Sequence, residues 1–413
     1  MRTRNFGRKG RRGAALLFAT VIAVAIAGMC MALLFMNLGT SKLRVSSRSE
    51  QRSFYAAEAG LSDAYVQLTS GLLVVDPGAS ATIGDEDAPL EFGDATYWAE
   101  VEGIDSRTWS VVSTGSDGRT VERVQLIVGE APSGIFQFAA FGDEGVVLDS
   151  NSFIDSYDSA LGTYEEQVKA GNDFAKENGD VGSNADIDLG SNTEIHGDAT
   201  PGPGHVVYDD APGAYVSGST DPAAEEFELI EIVPPVVASS GTHAGGSLTL
   251  GPGQVHFDKV TMSGGTTLKL VGPCEFVVDD LLLKSGASLV FDTSGGMVDV
   301  YGTGNFVLNS NSDVITQSNS ALDVTLLLSA DNMYKTPPDK IELSSNSEFV
   351  GAIYAPKAKV SLGSNFNIYG SVMCGFLDLS SNGEIHYDEA LMYDGFGSSD
   401  EYETMLWRPV ALD

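Results

Sequence analysis

One long uncharged stretch near the N-terminus constrains the fold more than any other feature of the sequence. No charged residue occurs from Ala14 to Ser41. The 25 residues from Ala14 to Leu38 would form a helix about 37 Å long. That length exceeds the roughly 30 Å hydrocarbon core of a bilayer. We therefore predict a transmembrane helix over residues 14–41, preceded by a basic leader over residues 1–13.

The charges that flank this stretch predict its orientation. Six basic residues and no acidic residue precede Ala14. Because positive charge is retained on the cytoplasmic side, we expect a cytoplasmic N-terminus and an exported C-terminal part. A simple signal anchor is one interpretation. A cleaved secretory signal fits less well, because its apolar region is usually about 7–15 residues long. A lipoprotein signal would need a small residue immediately before Cys30, where Met29 stands.

Two short segments suggest a more specific interpretation. The basic cluster ends in Arg12-Gly13 and leads directly into Ala14. Further along, the sequence reads Ala57-Glu58-Ala59-Gly60-Leu61. Over roughly residues 8–68, this combination resembles the N-terminal region of PilX-like minor pilins, which assemble into type IV pili. The resemblance implies that a prepilin peptidase cuts after Gly13, at a processing site formed by Arg12, Gly13 and Ala14, and that the helix packs with other pilin subunits.

The resemblance also implies a location and a type of subunit. A PilX-like protein crosses the bacterial inner (cytoplasmic) membrane once, and its C-terminal part is extracytoplasmic or, after processing, in a pilus or at the cell surface. Major pilins carry a glutamate near the start of the mature helix, and Phe18 occupies that place here. This departure favours a minor subunit over the bulk subunit of a filament.

Net charge argues against one class of partner. The formal net charge is −34, and loss of the six positive charges in residues 1–13 would leave −40. Such an acidic surface repels the phosphate backbone. We therefore expect no nucleic-acid partner.

After the membrane segment, the sequence predicts a helix and a small sheet. Apolar residues recur at spacings of three and four over residues 42–75, which is typical of a helix with one buried face. Gly60 lies on that face and predicts a close contact with a neighbouring element. Residues 76–132 contain runs that alternate with period two, and Ser116-Asp117-Gly118-Arg119 predicts a hairpin turn. We expect a small antiparallel β head packed on the helix.

A repeated pattern dominates the rest of the chain. The pattern apolar-x-Ser-Asn-x-x-apolar occurs seven times, and its asparagines are Asn151, Asn184, Asn192, Asn311, Asn346, Asn365 and Asn382. A looser pair of segments, 262–268 and 283–289, stands 21 residues apart. Short strands separated by polar corners at such spacings are typical of a solenoid. Asparagine suits these corners because it tolerates the left-handed conformation.

Together these patterns predict an α+β, mainly β chain. Its N-terminal pilin-like helix and small sheet would be followed by a right-handed β-helix over residues 133–395. An insertion near residues 197–235 would loop out from it. Residues 396–413 would form a C-terminal capping strand, or a strand that returns to the β head.

A search for catalytic and metal-binding patterns identifies no catalytic residue, cofactor or metal site. Adjacent carboxylates such as Asp279-Asp280 point to opposite faces of a strand. The five histidines show no i, i+4 pair and no cluster, so zinc is not expected. The Asp-rich stretch from Asp180 to Asp188 could bind calcium, but solvated turns are favoured. Cys274 and Cys374 could form a disulfide or remain two buried thiols.

The leading hypothesis is a structural subunit of a type IV pilus or a related secretion machine, with the β-helix used in assembly or adhesion. One alternative is a membrane-anchored adhesin or binding protein that never enters a filament. Another is a polysaccharide-acting enzyme on the same scaffold.

Overall fold

The computed structural model describes residues 11–169, 171–331, 333, 339–343, 347–396 and 402–411. The chain divides into two compact units. We call Met1–Glu130 with Tyr402–Asp413 the helix–sheet unit, and Ala131–Glu401 the parallel β unit.

The helix–sheet unit combines one long helix with one antiparallel sheet. The helix is α1, Arg11–Thr69. The strands are β1 (Ser80–Ile83), β2 (Leu90–Phe92), β3 (Ala95–Gly103), β4 (Thr108–Ser116), β5 (Val121–Glu130) and, from the C-terminus of the chain, β29 (Tyr402–Pro409). The sheet order is β1-β3-β4-β5-β29, and β2 pairs with β3.

α1 is continuous across the predicted boundary between residues 41 and 42 and ends at Thr69. Its end is fixed by Gly71, which adopts φ of 68°. The amide of Gly71 donates to Leu68 O at 3.0 Å, and the amide of Leu73 donates to Gln67 O at 2.9 Å. A glycine in the left-handed conformation that closes such bonds is a common helix terminator.

The core of the helix–sheet unit lies between one face of α1 and one face of the sheet. Ala57, Leu61, Ala64 and Leu68 are buried on the helix. They pack in one cluster with buried valines of the central strands, Val101, Val111, Val124 and Val128. Their spacing of three and four on α1, and of four between Val124 and Val128 on β5, is what places each set on a single face.

The C-terminal strand belongs to this sheet. β29 pairs antiparallel with β5, with Trp407 opposite Leu126. Of the two placements predicted for residues 396–413, the strand therefore takes the return to the β head instead of capping the second unit. Residues 397–401 and 412–413 lie outside the described residues.

The parallel β unit consists mainly of short strands. In its described part these are β6 (Ala140–Gly142), β7 (Val146–Leu148), β8 (Phe153–Tyr157), β9 (Val181–Ser183), β10 (Ile187–Leu189), β11 (Glu194–Ile195), β12 (Ala199–Thr200), β13 (Val207–Tyr208), β14 (Tyr215–Val216), β15 (Thr242–Gly245), β16 (Leu248–Leu250), β17 (Gly253–Met262), β18 (Thr267–Val271), β19 (Cys274–Leu283), β20 (Ser288–Asp292), β21 (Val298–Gly302), β22 (Phe306–Leu308), β23 (Asp313–Thr316), β24 (Val324–Leu328), β25 (Ile341–Leu343), β26 (Glu348–Leu362), β27 (Asn367–Leu379) and β28 (Glu384–Asp388). Two short helices accompany them, α2 (Tyr164–Gln167) and α3 (Ala390–Asp394).

These strands form a 19-stranded parallel sheet and a four-stranded parallel sheet, β16-β18-β20-β23. Apolar residues at alternate positions point inward and stack on equivalent residues of the next strand. For example, Phe276 of β19 pairs with Val300 of β21, and both are buried. One strand alone is too short to bury such residues, so neighbouring strands form the core together.

The order of pairing corrects the predicted fold class. β27 pairs with β6 and β7, and β28 pairs with β8, with Ile385 opposite Ile154. The last strands of the unit therefore close onto its first strands. The chain is mainly β with an N-terminal helix, but the predicted β-helical solenoid is wrong, because the parallel strands form a closed arrangement with extra strands.

The predicted insertion near residues 197–235 is only partly a loop. Its first part contributes β12, β13 and β14, which pair in parallel with β9, β10 and β11. Residues 217–238 then continue without a helix or strand. The abundance of Pro, Gly and acidic residues suggested a loop throughout, but strands of two residues need little apolar sequence.

The two cysteines of this unit are free thiols, and both are buried. Cys274 begins β19, and Cys374 lies within β27. Cys274 and Cys374 are therefore two buried thiols, which is the second of the two alternatives that the sequence left open.

Substitution at the closing pair of strands, β28 and β8, tests whether the last strands of this unit pair with its first strands. We expect Ile385→Ala to cost about 2–5 kcal/mol, because it leaves a cavity at a fully buried position. Hydrogen exchange measured by mass spectrometry should increase in β8 as well as in β28. The control is Ile315→Ala, whose side chain is 46% exposed. Faster exchange confined to β27 and β28 would contradict the closed arrangement.

Candidate functional site

The N-terminal half of α1 exposes a continuous apolar surface. Ala19–Asn37 has a mean hydropathy of 2.4 and is the one candidate membrane span within the described residues. Val24 and Met29 are each 72% exposed. In water such a surface would be strongly unfavourable, and burial in a bilayer removes that cost.

The predicted processing site lies next to this surface. Arg12, Gly13 and Ala14 occur at the start of α1. The remainder of the predicted leader, residues 1–10, lies outside the described residues.

The C-terminal half of α1 contacts the sheet through very small residues. A Cβ added at Gly60 would lie 2.6 Å from Cδ2 of Tyr97 and would overlap Oγ of Ser113. On the sheet, a Cβ added at Gly115 would overlap the backbone oxygen of Ser53. Helix and sheet therefore approach through a glycine on each side. We call this contact the helix seat, formed by Ser53, Gly60, Tyr97, Ser113 and Gly115.

The helix motif, Ala57-Glu58-Ala59-Gly60-Leu61, has a buried face and a more exposed face in the structure. Ala57, Gly60 and Leu61 are buried, and Glu58 and Ala59 are half-buried. Glu58 lines an open groove of about 420 Å³ together with Leu61 and Trp407. The small residues of the motif thus serve the close contact with the sheet, while its carboxylate remains at the surface of the unit.

Hydroxyl groups fasten the helix to the hairpin turn between β4 and β5. Ser49 Oγ donates to Asp117 Oδ2 at 2.5 Å, and Ser53 Oγ donates to Thr120 O at 2.8 Å. The amide of Asp117 donates back to Ser53 Oγ at 3.1 Å. The hydrogen bond from Ser49 is the main reason that the pKa of Asp117 falls to about 2. Sequence reasoning identified the turn but not its serine partners on the helix.

The asparagines of the repeated pattern lie at turns of the parallel β unit. Five of them have φ between 56° and 60°, namely Asn151, Asn192, Asn311, Asn365 and Asn382. Asn192 Nδ2 donates to Asn151 at 3.2 Å, and Asn151 Nδ2 donates to Asn382 at 3.1 Å. This row of amides crosses the junction between the last and first strands.

The other two asparagines differ. Asn184 does not share the left-handed conformation, and its amide nitrogen donates to Asp143 at 2.7 Å and to Phe227 O at 2.8 Å. Asn346 lies outside the described residues.

A buried histidine cluster lies at the same junction. His386 Nδ1 is 2.6 Å from Asp155 Oδ1, and His386 Nε2 is 3.2 Å from Glu384 Oε2. Tyr164 donates its hydroxyl proton to Asp155 Oδ2 at 2.9 Å, and its ring centroid is 4.0 Å from that of His386. α2, which carries Tyr164, thus covers the outer face of β28 and β8.

The electrostatics of the cluster favour an imidazolium. Burial lowers the pKa of His386, but hydrogen bonds with Asp155 and Glu384 outweigh it, so the net pKa is raised. The hydrogen bond between Glu384 and His386 lowers the pKa of Glu384. Burial raises the pKa of the Tyr164 phenol, which stays protonated and donates.

An open cleft of about 530 Å³ adjoins this cluster. Its lining combines the aromatic rings of Phe153 and Tyr369 with the carboxylates of Glu194 and Glu384. These residues come from four strands, and Phe153 and Glu384 are paired across β8 and β28. Sequence reasoning missed the cleft because Phe153 and Glu384, which are paired in the structure, are more than 200 residues apart in the chain, so no local spacing signals them.

The stretch from Asp180 to Asp188 does not form an isolated acidic loop. Asp180 Oδ1 accepts a hydrogen bond from the amide of Asp198 at 2.7 Å. Asp186 Oδ1 is 3.0 Å from His205 Nδ1 and accepts from the amide of Val206 at the same distance. These carboxylates fasten β9 and β10 to the strands that follow.

Comparison with known proteins gives two partial similarities. Residues 191–393 match a family described as "Domain of unknown function (DUF7305)". Among solved structures, the competence-associated pilin ComZ from Thermus thermophilus is similar at 12% identity and a TM-score of 0.32, over 88% of this chain and 97% of that chain. A TM-score this low carries no argument about fold or function. No curated protein matches the sequence.

Substitution in the helix seat tests its close packing. We expect Gly60→Ala to lower the free energy of unfolding by about 1–3 kcal/mol, because the added methyl group overlaps Ser113. The usual gain in helix propensity, about 1 kcal/mol, acts in the opposite direction and should not compensate. The control is Ser62→Ala on the exposed face of α1. Thermal unfolding in detergent gives the measurement, and a Gly60→Ala protein as stable as the control would contradict the seat.

The histidine cluster predicts a pH dependence. Since the pKa of His386 is raised in the folded state, its stabilising contribution is complete below the unfolded value of about 6.5. The contribution is lost as the pH rises through the folded pKa. The difference in Tm between wild type and His386→Gln should therefore be larger at pH 6 than at pH 9. His205→Gln, which removes an exposed His–Asp pair, serves as the control. A difference that grows with pH would contradict this prediction.

Proposed function

We propose that this chain is a minor pilin-like structural subunit of a type IV pilus or a related secretion machine. The observation that carries the proposal is the division of α1. Its N-terminal half exposes an apolar span, and its C-terminal half packs on a small antiparallel sheet through Ala57, Gly60 and Ala64. A single unbroken helix that serves as membrane anchor and as stem of a β head is the arrangement that a pilin requires.

The basic leader supports the same proposal. Arg12-Gly13-Ala14 stands directly before the apolar span, as expected for cleavage by a prepilin peptidase. Other pilin subunits would then be the partners of the exposed helix surface, and the inner membrane would hold the chain before assembly. Phe18, in the place of the usual glutamate, favours a sparse minor subunit.

In this proposal the parallel β unit is the displayed part of the subunit. It is held on the extracytoplasmic side for assembly or adhesion. Its role is structural and not catalytic. The acidic composition of the chain favours a hydrated surface.

A second candidate function is a membrane-anchored surface protein that binds a ligand without entering a filament. The cleft beside His386 favours it, because aromatic rings and carboxylates converge there. In this case the N-terminal helix would be a permanent anchor, and the leader would stay attached.

Mass spectrometry of the mature N-terminus distinguishes these functions. The pilin-like proposal predicts that protein isolated from its native membrane begins at Ala14. Gly13→Leu should leave the leader attached, because the peptidase requires a small residue before the cut. Gly10→Ala is a matched control within the leader and should be processed normally. An intact leader in the wild-type protein would contradict the proposal and favour the permanently anchored surface protein.

A further inference from the structure

Three potential metal ligands converge at a corner of the parallel β unit. His256 and Asp258 belong to β17, and Asp279 belongs to the neighbouring strand β19. Each offers one ligand atom, and these atoms all lie within 4.8 Å of one another. The corner lies apart from the cleft beside His386, whose lining comes from other strands.

The strand register places the two carboxylates side by side. Phe257 pairs with Val278, and Lys259 pairs with Asp280. Asp258 and Asp279 therefore occupy equivalent positions between these pairs, and Asp258 is exposed while Asp279 is half-buried. Like charges at equivalent positions of neighbouring strands repel one another. Lys259 does not relieve this repulsion directly, because its ammonium group pairs with Asp280 at 3.5 Å.

A backbone carbonyl determines the proton position on His256. Nδ1 of His256 is 2.9 Å from Val237 O. A carbonyl oxygen only accepts hydrogen bonds, so Nδ1 carries the proton, and in the neutral ring Nε2 presents its lone pair. Nε2 is 3.4 Å from Asp279 Oδ1, so two acceptor atoms face each other. A metal ion bound between Nε2 and this carboxylate oxygen would accept a lone pair from each.

The distance between these atoms is the one that a shared metal ion would impose. Zinc binds histidine nitrogen and carboxylate oxygen at about 2.0–2.2 Å, so two such ligands at a tetrahedral angle are about 3.4 Å apart. The side chain of Thr303 donates to Asp279 Oδ1 at 2.8 Å and orients the carboxylate. The contacts from Val237 and Thr303 are the kind of outer contacts that orient metal ligands.

We propose that His256, Asp258 and Asp279 bind a divalent transition-metal ion of the zinc type. The nitrogen–oxygen ligand set suits such an ion, and water would complete its coordination. The ion would neutralise the adjacent carboxylates and fasten β17 to β19. Through the contact between His256 and Val237, it would also steady the end of the segment 217–238, which has no helix or strand of its own.

Calorimetry with the full-length protein tests this site. The protein is purified in detergent, treated with a chelator, and titrated with zinc chloride at pH 7. We expect one equivalent to bind, and His256→Gln to weaken that binding roughly tenfold or more. His205→Gln removes another histidine paired with a carboxylate and should leave the binding unchanged.

Thermal unfolding of Asp258→Asn gives a second readout, in which the change in Tm relative to the wild type has opposite signs without and with zinc. Without metal, this substitution removes the repulsion from Asp279 and should leave Tm equal to or above that of the wild type. With zinc, the wild type should gain Tm because the ion binds only the folded state, and Asp258→Asn should lose most of that gain. This reversal separates loss of a ligand from failure to fold.

Two results would overturn the proposal. One is the absence of saturable zinc binding to the chelator-treated wild type. The other is binding of equal affinity in the wild type and in His256→Gln, which would place the ion elsewhere.

Discussion

The contact between α1 and the antiparallel sheet depends on residues that have almost no side chain. Gly60 on the helix and Gly115 on the sheet remove the atoms that would otherwise hold the two backbones apart. The hydroxyls of Ser49 and Ser53 then donate hydrogen bonds to Asp117 and Thr120 of the hairpin turn and hold the helix at that point. The C-terminal half of α1 is held in this way, and the exposed apolar half continues from it as the same unbroken helix. The proposed role as a membrane stem follows from that continuity.

In the parallel β unit the main physical constraint is a different one, namely how the exposed edges of its strands are paired. An unpaired edge offers backbone donors and acceptors to other chains and promotes aggregation. Here β28 is covered by β8, so the end of the unit protects its beginning. The amide row through Asn151 and Asn382 and the buried pair of His386 with Asp155 both reinforce this junction. Contacts that span more than 200 residues of chain therefore hold the unit together.

Features that depend on local chemistry could be predicted from the sequence, whereas those that depend on pairing order could not. The apolar span and the hairpin turn at Asp117 could be recognised because their spacing follows directly from helix and turn geometry. Stacked strands with alternating apolar residues all look alike, so nothing local shows that Ile385 pairs with Ile154. Part of the proposed metal-ligand cluster could be predicted from the sequence. The 21-residue offset between segments 262–268 and 283–289 also relates Asp258 to Asp279.

The central claim is that α1 lies in a membrane and holds the parallel β unit on the extracytoplasmic side. The native cysteines suit a labelling test with a membrane-impermeant maleimide, because Cys374 is fully buried and burial raises the pKa of the Cys274 thiol to about 11. The account predicts no labelling of wild type in intact spheroplasts, since the bilayer shields Cys30. It predicts strong labelling of Thr220→Cys, at an exposed position of the parallel β unit. Labelling of Cys30 in intact membranes, or labelling of Thr220→Cys only after lysis, would contradict it.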